Sequence, residues 1–303
     1  MLIVGAGLSG LIAAHAFPRA QIIEASSTPA MNHAALLRFR SDVVANLVGI
    51  EFRRVQVNKG IWFDGRFRDA DIRLANLYSQ KVVGKLSDRS IWNIDPVERF
   101  IAPENLYQQL VDAVGSRISW GIKVGCFNDI RHAGEPIVST MPMPMALAAA
   151  RMAAPDLEFN RSPIVVSRYK IANSDVFQSI YFPSPATKIY RASVTGDLLI
   201  VEAVAAGNPD EWMDGLDQVL EAFGNIKILS SLGEVTQRYG KISPINDSVR
   251  KALMFTLTHE HDVYSLGRFA IWKNILLDDV VHDLAVVRRL MRSSSYEVRK
   301  AVE

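Results

Sequence analysis

"MLIVGAGLSGLIAAHAFPRAQIIEAS", residues 1–26, decides the reading of the fold. Met1–Val4 is a short apolar run that leads directly into a G-x-G-x-x-G loop of Gly5, Gly7 and Gly10. Leu11–Phe17 predicts a short helix that Pro18 stops, and Gln21–Glu24 is a second apolar run ending in an acid. Each glycine has a separate physical task. The first permits the tight strand-to-helix turn, the second removes a side chain where a pyrophosphate must approach the backbone, and the third lets helix and strand pack closely. The helix N-terminus adds unpaired N–H groups and the positive end of a dipole. A carboxylate at Glu24, closing the second strand, stands where it can accept hydrogen bonds from both hydroxyls of a ribose. Strand, loop, helix, strand and acid in this order predict a dinucleotide site.

Composition sets the frame. The chain has 303 residues, 49% hydrophobic and 22% charged, with a formal net charge of +2, as expected of a globular protein of one large domain or two closely joined ones. No apolar run approaches the roughly 20 residues of a membrane helix, and no leader precedes Met1, which sets the expectation of a cytoplasmic protein without a membrane partner. The single cysteine, Cys126, excludes an internal disulfide and a thiolate metal cluster, and its apolar setting reads as a buried thiol. Arginine clusters in "LRFR" (37–40), "FRR" (52–54) and "GRFR" (65–68). These read as solvated faces or, alternatively, as a surface for the phosphates of a cofactor, a sugar nucleotide or nucleic acid. His259 and His261 flank Glu260 without the i, i+4 spacing of a helical zinc site, so no metal is expected.

Farther along, Asp64-Gly65 between aromatic-rich flanks predicts a hairpin. Ala102–Val114 predicts a helix with Pro103 in its first turn and Gly115 after its end. "ISWGIKVGCF" and "EPIVSTMP" read as strands, as do "SIYFP", "KIYRASV" and "LLIVEAV" between residues 163 and 205. Asn208, Pro209 and Glu211 announce a helix whose apolar face is Trp212, Leu216, Val219, Leu220 and Phe223. The chain closes on "DVYSLG" and a helical pattern of Val280, Leu284, Val287 and Leu290. One nucleotide half-site, a strand-rich middle and a return to strand and helix predict an interleaved α/β architecture. Residues 1–45, 100–142 and 256–303 form the nucleotide domain, and 46–99 with 143–255 form a substrate domain.

Three segments resemble the flavoproteins that include the flavin amine oxidases, protoporphyrinogen oxidase and UDP-galactopyranose mutase. They are "IVGAGLSGLIAA…IIEAS", "GEPIVSTMPMPMAL" (134–147) and "DVYSLGRFAIWKNILLDDVV" (262–281). The third is the most specific, because its place near the C-terminus matches as well. The resemblance implies a Rossmann-like FAD-binding domain with an interleaved strand-rich substrate domain, and FAD as cofactor. Gly5, Gly7, Leu8, Ser9 and Gly10 would hold the phosphates, with Glu24 and Ala25 at the ribose and Thr140 and Pro142 at the strand that leaves the domain. Gly267 would let the chain approach the isoalloxazine, Arg268 would hold the pyrophosphate or a substrate anion, and Leu277 and Asp278 would begin the helix whose N-terminus faces the flavin. The chain also departs from the pattern. No Gly-Gly-Arg run follows Glu24, so Arg38 or Arg40 would stand in. Asn274 and Leu276 occupy positions where the mutases carry a tyrosine and an acid.

The resemblance implies a flavin-dependent oxidoreductase, amine-oxidase-like, that oxidises a C–N bond by hydride transfer to flavin N5, followed by imine hydrolysis. The substrate would be a small amine or a modified nucleotide, including an amino-acid-modified thymine in phage DNA. A non-redox mutase-type flavoenzyme and a non-catalytic dinucleotide-binding protein are the alternatives. Lys59 and Lys241, each beside a glycine, are candidates for the lysine that orients water near N5 in amine oxidases. Tyr190 and Arg191 are candidates for the cavity wall, although strand alternation sends them to opposite faces, so that only one of the two faces the flavin.

Overall fold

The computed structural model describes residues 1–29, 37–86, 91–132, 134–153, 157–205 and 215–294. In chain order the elements are β1 (Leu2–Val4), α1 (Leu8–Ala16), β2 (Gln21–Glu24), β3 (Arg38–Phe39), α2 (Val43–Val48), β4 (Arg53–Phe63), β5 (Arg66–Arg68) and α3 (Ile72–Val83). There follow β6 (Val97–Ile101), α4 (Leu106–Val114), β7 (Ile118–Trp120), α5 (Phe127–Ile130), β8 (Ile137–Ser139), α6 (Met143–Ala149), β9 (Arg161–Ile171) and β10 (Phe177–Tyr181). The remainder are β11 (Ile189–Thr195), β12 (Leu198–Val204), α7 (Leu216–Ala222), β13 (Ile228–Ile242), α8 (Asp247–His261), β14 (Val263–Ser265) and α9 (Leu277–Ser294).

The first sheet runs β14-β8-β1-β2-β7, and every pairing in it is parallel. The strands β1, β8 and β14 are buried at every position rather than alternating because both faces are covered. On one face Ile3 and Ile22 share a core with α1, α2, α4 and α9. On the other, Leu2, Val4, Ile137 and Val263 pack with α6 and α8. The strand that opens the sequence is therefore central, and the last strand joins the same sheet. Among the described residues no helix is long and apolar enough to cross a membrane.

The second sheet has nine strands in the order β13-β9-β12-β11-β10-β4-β6-β3, with β5 paired to β4. It is antiparallel except at β4–β10. α7 covers one face through Val219 and Ala222, and α3 covers the other through Leu74, Tyr78 and Val82. Asp64 and Gly65 both take positive φ, 53° and 70°, as a two-residue hairpin turn requires.

Several expectations need correction. α4 starts at Leu106 rather than Ala102, because Pro103 lies in a preceding turn whose carbonyl accepts from Leu106 N–H. The strand expected over "ISWGIKVGCF" ends at Trp120, where Gly121 turns the chain at φ 79°. Leu290 is 39% exposed and lies off the buried stripe of Val280, Leu284 and Val287. The helix start expected at Asn208, Pro209, Glu211 and Trp212 lies outside the described residues.

Candidate functional site

The glycine loop leaves β1 at the carboxyl end of the parallel sheet, where ligands bind in such folds. Gly5 has φ 104° and lies against Thr140, while a Cβ on Gly10 would overlap the Gly5 carbonyl. These two glycines are fixed by packing. Gly7 differs: it is exposed, its backbone is extended at φ −71° and ψ 175°, and a Cβ there would meet nothing within 4 Å. It is the N-cap of α1, and no side chain caps that helix. The first N–H groups of α1 therefore face open space beside a residue that keeps the space clear. Leu8 and Ser9, in the first turn, are half-buried.

Glu24 sits beneath this loop. One carboxylate oxygen accepts from Ala6 N at 2.7 Å and the other from Ser26 N at 2.9 Å. Each oxygen has a further lone pair for a hydroxyl donor. Ala25 is exposed at the strand exit.

The C-terminal segment returns to the same place. Ser265 pairs with Ser139, and Ser139 with Val4, across three adjacent strand ends. Leu266 N donates to Ser139 O, and Met143 N, next to the α6 N-cap Pro142, donates to Phe269 O. Thr140 Oγ1 donates to Val4 O at 2.9 Å. Gly267 has φ 89°, and a Cβ there would come within 2.5 Å of Ser9 Oγ. A side chain at Gly267 would thus strike the glycine loop itself. Among the described residues, the hydroxyls of Ser139 and Ser265 are buried without a protein partner, as is Asp278 Oδ2.

The arginines expected near the phosphates have partners within the protein. Arg38 donates to Ser179 Oγ at 2.6 Å, Val194 O at 3.3 Å and Thr195 Oγ1 at 2.9 Å, all on the second sheet. Arg40 forms an ion pair with Asp279. Asp278 Oδ1 accepts from Arg40 N, Ser41 N and Ser41 Oγ, so the start of α9 is fastened to the chain just after β3. Leu277 packs on the core shared by α1 and α9. Arg268 donates to Gly240 O and to Asn274 Oδ1. Trp272 is 1% exposed, packs edge-on against Phe159 and donates to Ser243 O, and so serves the core.

Gly240 leads to Lys241, and with it to a polar network that spacing rules did not foresee. The β11–β12 register shifts between Ile189 and Arg191, leaving Tyr190 as the extra residue of a bulge. Tyr190 and Arg191 therefore do not take opposite faces. Both reach one carboxylate: Tyr190 OH donates to Glu202 Oε1 at 2.9 Å, and Arg191 binds both oxygens of Glu202 through Nε and Nη2. Lys241 is 5% exposed, with its ammonium 4.5 Å from the centre of the Tyr190 ring. Burial pushes the Glu202 carboxyl up, but Arg191, Lys241 and the Tyr190 hydroxyl outweigh it and hold the group at about 2. Burial and the Glu202 charge raise the Tyr190 phenol well above its ordinary value. Lys59 stands apart: it lies opposite Ser179 in register, but its ammonium donates to Asn93 O. Glu202, in the apolar run "LLIVEAV", was missed from the sequence. An acid within an otherwise buried strand was the signal that could have found it.

The network is bracketed by the two segments that close the loop region. Arg38 lies two residues from the chain held by α9, and Lys241 lies one residue from the carbonyl held by Arg268, beside Gly267. The segment from Gly267 to Asp278 thus touches the glycine loop at Ser9 and the second sheet at Gly240.

No protein-family model matches the chain, and no curated protein sequence is significantly similar to it. Solved structures are similar in fold. A reduced UDP-galactopyranose mutase matches with a TM-score of 0.68 and 14% identity, over 97% of this chain and 94% of the other. A putrescine oxidase variant matches at 0.57 and 9%, over 96% and 98%. Klebsiella pneumoniae HpxO, solved with FAD and uric acid, matches at 0.52 and 15%, over 97% and 82%. The chain shares its fold with these solved structures, one of which is an FAD complex. The residues present fit that cofactor: the uncapped α1 start and the cleared space at Gly7 suit a pyrophosphate, and unpartnered Ser139, Ser265 and Asp278 oxygens offer polar contacts nearby.

Proposed function

We propose that the protein is an FAD-dependent oxidoreductase of amine-oxidase type, acting on a C–N bond. The observation that supports this reading is the close approach of Gly267 to Ser9, which brings the C-terminal segment onto the glycine loop, while Arg268 of the same segment reaches Gly240, next to Lys241 of the buried polar network. The loop residues Gly5–Gly10 and Glu24 would hold the dinucleotide, and the segment from Gly267 to Asp278 would flank the ring. When bound, FAD supplies the two-electron acceptor for oxidation of the substrate carbon. Lys241 would hold a water in the site for the hydrolysis that follows, kept in place by the Tyr190 ring. Arg191 and Tyr190, both fixed on Glu202, would orient the substrate and exclude bulk water. The amine is free or carried on a modified nucleotide. For a nucleotide in DNA, Arg53 and Arg66 provide exposed cations on the same sheet.

A mutase-type reaction is the second reading, favoured by the match along nearly the whole of a mutase chain. Anaerobic mixing of the holoprotein with a panel of amines separates the two. Substrate-driven bleaching of the flavin supports oxidation. A flavin that no amine bleaches, with turnover of a sugar nucleotide only after dithionite reduction, overturns it in favour of the mutase.

A further inference from the structure

The charges of the inner sheet face do not balance. Glu202 has a side chain only 4% exposed, and both its oxygens are taken by Arg191. Arg38 projects onto the same face through Ser179 and Thr195, and among the described residues it meets only neutral acceptors. Ser179 and Ser193 are cross-strand partners joined by a hydroxyl contact of 2.8 Å. Ser193 is two residues from Arg191 on the same face of β11, so the arginine contacts lie about 7 Å apart along the strand. The Arg191 side chain is 32% exposed although the carboxylate it binds is buried. Part of the Arg191 side chain is therefore open to a ligand. Glu202 occupies Nε and Nη2, and Nη1 donates to no described residue. Arg38 has no counter-ion among the described residues, and a cation withdrawn from water in that way is costly unless a ligand supplies one.

We infer that the substrate carries an anionic group, a carboxylate or a phosphate, that binds between Arg191 Nη1 and Arg38 above the Ser179–Ser193 pair. The inference rests on the proposed function and names the substrate class of the same site. Glu202 is then the positioning residue: it turns Arg191 so that one edge is held and the other is offered. A simple cationic amine would be repelled here, whereas an amine that also bears an acid group would be accepted with that group at the arginines.

The test uses the FAD-loaded protein, in which the cofactor's phosphates already fill the glycine loop. Released flavin is measured first. Benzoate and inorganic phosphate are then titrated separately, with sodium chloride as the ionic-strength control, and the flavin absorption envelope and calorimetric heat are followed. The inference expects saturable binding of at least one probe, and the stronger of the two tells carboxylate from phosphate. Arg38→Gln should weaken that binding about tenfold or more. Arg191→Gln alone strips the buried Glu202 of its guanidinium partner and threatens folding, so the double variant R191Q/E202Q, which keeps neutral hydrogen-bonding groups, carries the second arm with the same expected loss. A protein that takes up no FAD overturns the proposed function and this inference with it. A protein that holds FAD and binds neither probe, or binds one equally well in both variants, overturns this inference alone.

Discussion

Glu202→Gln should change acid stability in a way that only a buried ion pair can produce. Burial alone would raise the Glu202 carboxyl, but the charge and hydrogen bonds of Arg191, followed by Lys241 and Tyr190, hold it at about 2 against an ordinary 4.5. The folded value is depressed, so the unfolded chain binds the proton first as pH falls. The stabilisation is complete above pH 4.5 and is lost progressively down to about pH 2. At about 1.4 kcal/mol per pH unit, the gap amounts to about 3 kcal/mol. The side chain is only 4% exposed, so solvent screening removes little of this. Glutamine keeps the shape and cannot ionise. The variant should be about 3 kcal/mol less stable than the parent at neutral pH, and the two stabilities should converge near pH 2. Urea unfolding of both proteins at a series of pH values reads this directly. Two curves that fall in parallel from pH 5 to pH 2 would refute the ion pair as the source of the network's cohesion.

Other perturbations test separate parts of the structure. Gly267→Val places a branched side chain at φ 89° against Ser9, so both the thermal midpoint and FAD affinity should fall; an unchanged midpoint in differential scanning calorimetry would contradict the loop contact. Glu24→Gln weakens a charge-assisted acceptor pair worth about 1.5–3 kcal/mol, and fluorescence titration should find FAD bound roughly tenfold more weakly, with the fold retained. Lys81 donates to the carbonyls of Phe182, Ser184 and Ile189, joining α3 to the β10–β11 connection. Lys81→Met should cost about 2 kcal/mol or more by leaving those acceptors unsatisfied, and chemical unfolding that finds no loss would remove this anchor.

The opening β1–loop–α1–β2 unit was legible because three local rules coincide there: apolar runs for strands buried on both faces, glycine where the backbone crowds, and an acid at a strand end. The return of residues 262–281 was legible through resemblance. The polar network was not. Strand alternation assigns Tyr190 and Arg191 to opposite faces, and only a register shift, invisible in the sequence, brings both onto Glu202. Arg38 is near the loop in sequence, but its guanidinium is drawn to side-chain and carbonyl oxygens of the second sheet. α8 also escaped notice, since its buried face amounts to Arg250, Leu253 and Leu257 among polar neighbours, too thin a stripe to mark a helix. The same physics limits another experiment: deleting the chain from residue 262 onward would remove β14 and the Val280, Leu284 and Val287 stripe from the main core, so lost binding would then report unfolding.

The central claim is that the protein holds FAD with its phosphates against the start of α1. Gly7→Asp tests it most directly, because folding and binding should respond with opposite signs. The backbone at Gly7 is already extended, and no atom lies within 4 Å of the new Cβ. Aspartate is a favoured N-cap and suits the helix dipole, so the variant should fold with equal or slightly greater stability. Its carboxylate would stand where the pyrophosphate must lie. Equilibrium titration of both proteins with FAD, followed by flavin fluorescence, should give tight binding of about one FAD per chain in the parent and a loss of roughly tenfold or more in the variant. A stable, folded Gly7→Asp protein that binds FAD as well as the parent would contradict the account.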